Sequence, residues 1–149
     1  MKKAFLFCAF SLTVLALQAQ LKPVKWTFAS EKTGDQEYTL TLTADCQVGW
    51  NIYSQNTDPD GPIPTSFTFA PTAGFELIGE TEEAGHKKEG YDEMFQMNVI
   101  KYTDEVVFTQ KVKLTESPVT IKGFVEYMCC DDEKCLPPTK EGFYFTLED

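Results

Sequence analysis

Apolar residues recur at every second position in one short run after another, and that period of two limits the chain to strands. Trp26 and Phe28 alternate with polar neighbours, as do Tyr38, Leu40 and Leu42 among threonines. Phe67 and Phe69 follow the turn-forming run Asp58-Pro59-Asp60-Gly61-Pro62, and Phe75 and Leu77 begin another short run. Val106, Phe108, Val112 and Leu114 share one parity of a long strand. Val119 and Ile121, then Phe124 and Tyr127, mark the next, and Phe143, Phe145 and Leu147 close the chain. β-Branched and aromatic residues fill these runs and turn residues separate them. That is the pattern of an all-β sandwich, two antiparallel sheets around one core. No window carries a sustained helical stripe with caps, and no repeat or low-complexity linker divides the chain.

The segment 84–96 breaks the alternation. It holds Gly85, His86, Lys87, Lys88, Glu89, Gly90 and Asp92, then Met94 and Phe95. Charged and glycine-rich with an aromatic tip, it reads as an exposed loop, and loops on a rigid sandwich are where function concentrates.

Residues 1–20 read as a signal peptide. Lys2 and Lys3 supply the positive region, residues 4–17 an apolar run too short to span a bilayer comfortably, and Gln18-Ala19-Gln20 the cleavage region. Cys8 is expected to leave with it. The mature chain, residues 21–149, is then a soluble, exported single domain of about 129 residues, enough for one core. Without Lys2 and Lys3, eleven basic residues face 23 acidic ones, a net charge of −12. Such a surface argues against binding nucleic acid or an anionic membrane, both of which need basic patches.

Four cysteines remain, Cys46, Cys129, Cys130 and Cys135, and three of them fall within seven residues. In an oxidising compartment clustered thiols become disulfides, and four cysteines allow three full pairings. Cys135 can close a small ring with either Cys129 or Cys130. A ring that small stabilises a fold by roughly 2 kcal/mol, against about 4.5 for a bridge from Cys46 to the cluster. The short ring is therefore a poor staple but well suited to opening and closing without unfolding. Asp131, Asp132 and Glu133 disfavour a thiolate beside it and only Lys134 favours one, so no strongly activated nucleophile is expected.

Competing uses of the same residues are weaker. A four-thiolate zinc site fits poorly, because Cys129 and Cys130 are adjacent and no second knuckle exists. Met94, Met97 and Met128 are soft donors near the cluster and suggest copper, although methionines more often pack. His86 is the only histidine, and nothing in the sequence sets it beside a nucleophile. Gly61 and Gly74 read as turn residues and cradle no phosphate. A different class of function, a binding or assembly module with a purely structural disulfide, stays open on these residues alone. The lability of the bridge separates the two.

The run Cys130-Asp131-Asp132-Glu133-Lys134-Cys135-Leu136-Pro137-Pro138 resembles the active-site segment of the N-terminal periplasmic domain of the thiol:disulfide interchange protein DsbD. So do Gly49-Trp50-Asn51-Ile52-Tyr53-Ser54-Gln55 and Gly61-Pro62-Ile63-Pro64-Thr65-Ser66-Phe67, in the same order. The resemblance covers nearly all of the mature chain. It implies an immunoglobulin-like sandwich with the cysteine pair near one end. It also implies a periplasmic relay of electrons, with no cofactor, from a membrane thiol transporter to thioredoxin-like or disulfide-isomerase partners. By residue, Cys135 would form the mixed disulfide with partners and Cys130 would resolve it, Cys129 being an additional thiol that a longer spacing would select instead. Phe95 matches the aromatic of a cap loop that shields the disulfide. Glu93 matches an acidic neighbour of that aromatic, and Met94 stands where a second acidic residue would be. Trp50 and Tyr53 match aromatics flanking the site. At 149 residues the chain has no room for that transporter's membrane and C-terminal domains, so a stand-alone relay component or a domain used for something else is expected.

Overall fold

A computed structural model describes residues 21–148, and the expected signal peptide lies outside the described residues. Among the described residues nine strands form two antiparallel sheets. They are β1 (Val24–Gly34), β2 (Glu37–Cys46), β3 (Asn51–Tyr53), β4 (Ser66–Phe69), β5 (Phe75–Asp92), β6 (Met97–Leu114), β7 (Val119–Tyr127), β8 (Cys129–Cys130) and β9 (Thr139–Leu147). The larger sheet runs β1-β2-β6-β3-β8 with β5 also on β6; the smaller runs β4-β7-β9. No helix among the described residues is long and apolar enough to cross a membrane.

The period of two becomes a core because both sheets turn one parity inward. Tyr38, Leu40, Leu42, Ala44 and Cys46 of β2 are buried, and so are Val106, Phe108, Val112 and Leu114 of β6. The register sets Leu42 opposite Phe108 and Ala44 opposite Val106. In the smaller sheet Ile121 faces Phe145 and Val119 faces Leu147. Aromatic rings join the layers: Phe67 of β4 lies 5.0 Å from Phe108 of β6, and Phe28 of β1 lies 5.8 Å from Phe143 of β9. Pairs at such distances are worth about 0.5–1.5 kcal/mol beyond the area they bury. One polar residue shares the inward parity of β6. Gln110 is buried, and it is satisfied by donating to Ile78 O and Lys111 O while accepting from Thr81 Oγ1.

One expectation is corrected. Residues 84–92 are not a loop but the far half of β5, paired with β6 from Met97 onward. β5 is an edge strand with most side chains exposed on both faces, so its sequence has no reason to alternate. Only residues 93–96 form the turn. In β7 the inward parity runs Val119, Ile121, Gly123, Val125, Tyr127, which puts Phe124 on the outer face under the Lys140 ammonium, 4.6 Å from the ring centre.

Gly123 explains the missing core side chain. A Cβ there would come within 2.2 Å of Thr68 O and 2.5 Å of the Phe143 ring. The absent side chain lets β4 and β9 close around β7. Gly123→Ala is expected to cost about 1–3 kcal/mol by overpacking, read as a lower denaturant midpoint at unchanged slope.

Candidate functional site

Cys130 and Cys135 form a disulfide across a four-residue turn. Asp131 builds that turn. Its N–H donates to Lys134 O at 2.9 Å, and its Oδ1 accepts from the N–H groups of Glu133 and Lys134 at 2.9 and 2.8 Å. These donors hold the Asp131 carboxyl below the usual carboxylate range. Beyond the cysteines the ladder resumes, with Leu136 N–H on Cys129 O at 2.9 Å. The flanking bonds leave Cys130 and Cys135 as a non-hydrogen-bonded antiparallel pair, the kind whose Cα atoms approach most closely. Here they are 4.0 Å apart.

Strand pleating separates the adjacent thiols. Cys129 joins the main core with Cys46, whereas Cys130 joins a second cluster with Tyr53 and Val99, covered by Phe95, Met97, Met128 and Cys135. Cys46 and Cys129 are free and buried. Burial pushes the Cys46 thiol up to about 12, with the neighbouring Cys129 adding to the shift. Burial alone carries Cys129 to about 11. The four cysteines do not converge, and among the described residues no three His, Cys, Asp or Glu side chains are grouped to hold a metal ion.

The turn between β5 and β6 lies over the bridge. Phe95 is half-buried and meets the Tyr53 ring edge-on, 5.7 Å between centres. Met94 Sδ lies 3.1 Å from Cys135 Sγ; Cys135 is bonded to Cys130 and carries no proton, so this is a sulfur–sulfur contact. Glu93 is exposed and lines a 270 Å³ cleft with Asp92, Met94, Lys101, Asp131 and Asp132. Asp92 organises the turn. It accepts from Met94 N–H on Oδ1 at 3.0 Å and from the Lys101 ammonium on Oδ2 at 2.8 Å, while its carbonyl accepts from Gln96 N–H at 2.7 Å. Burial opposes the charge on Asp92, but Lys101 and the backbone donors of Met94 and Phe95 outweigh it and keep the carboxyl below its usual range.

From below, β3 supports the hairpin. Asn51 pairs with Cys130 in the sheet, and its Nδ2 donates to Cys130 O at 2.9 Å. Tyr53 is 1% exposed beneath Phe95, and burial raises its phenol well above the ordinary value. Trp50 packs instead in the main core. The carboxylate of Glu83 clamps the segment after Tyr53 by accepting from Ser54 Oγ, Gln55 N–H and Asn56 Nδ2. His86 sits on the surface, 3.2 Å from Asp104.

Comparison with known proteins decides what this hairpin belongs to. Residues 18–147 match the family described as thiol:disulfide interchange protein DsbD, N-terminal. The chain belongs to the DsbD N-terminal family. Its architecture is the immunoglobulin-like sandwich of that family's solved members. The reduced N-terminal domain of Neisseria meningitidis DsbD is similar at 15% identity and TM-score 0.54, over 82% of this chain and 86% of that one. The N-terminal periplasmic domain of Proteus mirabilis ScsB is similar at 13% identity and TM-score 0.64, over 85% of this chain and 47% of that one. A complex between the N-terminal domains of N. meningitidis DsbD and PilB also matches, at 15% identity and TM-score 0.53, over 85% of this chain and 87% of that one. No curated protein sequence matches.

Within this DsbD N-terminal frame, Cys130, Cys135, Phe95 and Tyr53 come together, and Glu93 stands at the rim. Sequence reasoning missed Asp92, Asn51 and Glu83. Asp92 carried one usable signal, an aspartate two residues before the turn's Met94, where its carboxylate can accept a backbone N–H.

Two outcomes are expected. At pH 8 a thiol titrating at about 11 is roughly one part in a thousand thiolate. Iodoacetamide should therefore spare Cys46 and Cys129 in the native protein and label both in denaturant, as read by peptide mass mapping. The second concerns Asp92. Its carboxyl is depressed on folding, so its hold on the turn is complete above the ordinary value near pH 4 and is lost as pH falls through the folded value. Reduction of the bridge by a phosphine, corrected for the phosphine's own titration, should accelerate only at the acid end. Asp92→Asn should remove that acid limb and react about fivefold faster at neutral pH, the equivalent of about 1 kcal/mol.

Proposed function

We propose that this chain is an exported, periplasmic module that relays reducing equivalents from a membrane thiol transporter to thioredoxin-like or disulfide-isomerase partners through the Cys130–Cys135 pair. The supporting observation is the unequal access to the two sulfurs. Cys130 is 1% exposed, while Cys135 is half-buried and its sulfur meets Met94 of the turn that also carries Phe95. A partner that displaces this turn meets Cys135 first. The solved complex of a relative's N-terminal domain with that of PilB agrees with a protein partner.

The chemistry balances in both directions. In the incoming direction a partner thiolate attacks Cys135 Sγ, the bond to Cys130 breaks, and Cys130 leaves as a thiolate that takes a proton. A second thiol of the partner then attacks its own sulfur in the mixed disulfide. That releases Cys135 and leaves this protein reduced by two electrons and the donor oxidised. In the outgoing direction the Cys135 thiolate attacks an oxidised partner. Cys130 then attacks Cys135 Sγ, the Cys130–Cys135 bridge re-forms, and the partner departs as a dithiol. Cys130 thus resolves only in the outgoing direction. The bridge spans six residues, so its opening leaves the sandwich intact.

A redox titration with mass mapping tests the reading. A reversible Cys130–Cys135 couple above roughly −300 mV is expected, and a bridge that yields only on unfolding would make it a staple. Cys135→Ser should abolish exchange with a thioredoxin-like partner. Cys130→Ser should instead accumulate the mixed disulfide on Cys135, visible on a non-reducing gel.

A further inference from the structure

Met94 has no role in the relay chemistry above, yet its sulfur touches the sulfur that partners would attack. It is 43% exposed, unlike the half-buried Phe95, Met97 and Met128 that pack on the Cys130 cluster. Its position is built rather than casual, since Asp92 Oδ1 fixes its N–H and Lys101 fixes Asp92. Met97 is committed elsewhere. Its Sδ lies where a Cβ on Gly61 would fall, at 2.5 Å, so its sulfur packs against Gly61.

Once the bridge is opened, three sulfurs stand at one point. Two are thiols whose Cα atoms lie 4.0 Å apart, and the third is a thioether in contact with one of them. Thiolates and thioethers are soft donors, a class that suits Cu(I) or zinc and excludes calcium and magnesium. Zinc would want a fourth ligand, and among the described residues no His or carboxylate is grouped with these thiols to supply one. The adjoining cleft presents Glu93, Asp131 and Asp132, and the chain carries a net charge of −10, both of which concentrate cations.

We propose that the reduced protein binds one Cu(I) ion through the Cys130 and Cys135 thiolates and the Met94 thioether. The proposal rests on the bridge being reducible in the folded protein, as the interchange reading requires. Binding displaces both thiol protons, so affinity rises with pH. No electron moves: the metal enters and leaves as Cu(I). Copper and the disulfide compete for the same two sulfurs, and the loaded form cannot exchange until the ion is withdrawn.

The test is anaerobic titration of reduced, desalted protein into the coloured Cu(I)–bicinchoninate complex. The reduced protein should withdraw one equivalent, and the oxidised protein and Cys135→Ser none. Met94→Leu keeps the volume and removes the donor. It should weaken binding by at least about tenfold, while Met97→Leu should not. Reduced protein that leaves the complex intact would overturn the proposal. So would a Met94→Leu protein that binds as tightly as the parent, because the site would then be a bare dithiol. If the same reduced protein still exchanges with a thioredoxin-like partner, only the copper site falls. A bridge that cannot be reduced without unfolding sinks both readings.

Discussion

A strand turns successive side chains to opposite faces, and in β8 that rule acts on two adjacent cysteines. Cys129 is sent into the main core and Cys130 into the cluster beneath the β5–β6 turn. Had the strand slipped by one residue, the thiols would exchange places, and the core thiol would stand opposite Cys135. The register is held by the pairing of Asn51 with Cys130 and Ile52 with Cys129, and by the Asn51 amide on the Cys130 carbonyl. The burial of Cys129 in the core and of Cys130 beneath the turn both follow from that registration.

The placing of the turn over the disulfide depends on a longer lever. β5 and β6 each run 18 residues, and their far ends carry the turn over the disulfide. An exposed hairpin end would be mobile without an anchor. Asp92 supplies it by joining the Met94 and Gln96 N–H groups to the partly buried Lys101. The anchor is electrostatic and local, whereas the contact of Phe95 with Tyr53 is apolar. The turn can thus lift from the bridge without disturbing the sandwich core, which is held by separate residues.

Much of the fold was legible because burial on one face writes a period of two into β2, β6 and β9. It failed where that cause is absent. β5 is exposed on both faces, so residues 84–92 looked like a loop. In β7 the strand was legible, but Gly123 leaves a gap in its inward parity that no apolar side chain marks. The cysteine pair and Phe95 were readable from motif resemblance, but Asn51, Glu83 and the Met94 contact were not. Their partners lie 79, 28 and 41 residues away, distances over which a single sequence carries no pairing signal.

The four-residue turn also bears on how the chain oxidises. In an unfolded chain all the thiols are equally bare, and pleating protects none of them. Ring closure then favours near neighbours, so a bridge from Cys46 to the cluster is disfavoured by loop entropy. It does not separate Cys129–Cys135 from Cys130–Cys135, whose rings differ by one residue. What separates them is the Asp131 turn, which aligns Cys130 with Cys135 through bonds made entirely within residues 129–136. A hairpin of that size forms in microseconds, far ahead of thiol oxidation. Local structure therefore biases Cys135 toward Cys130 over Cys129 even before the sandwich is complete.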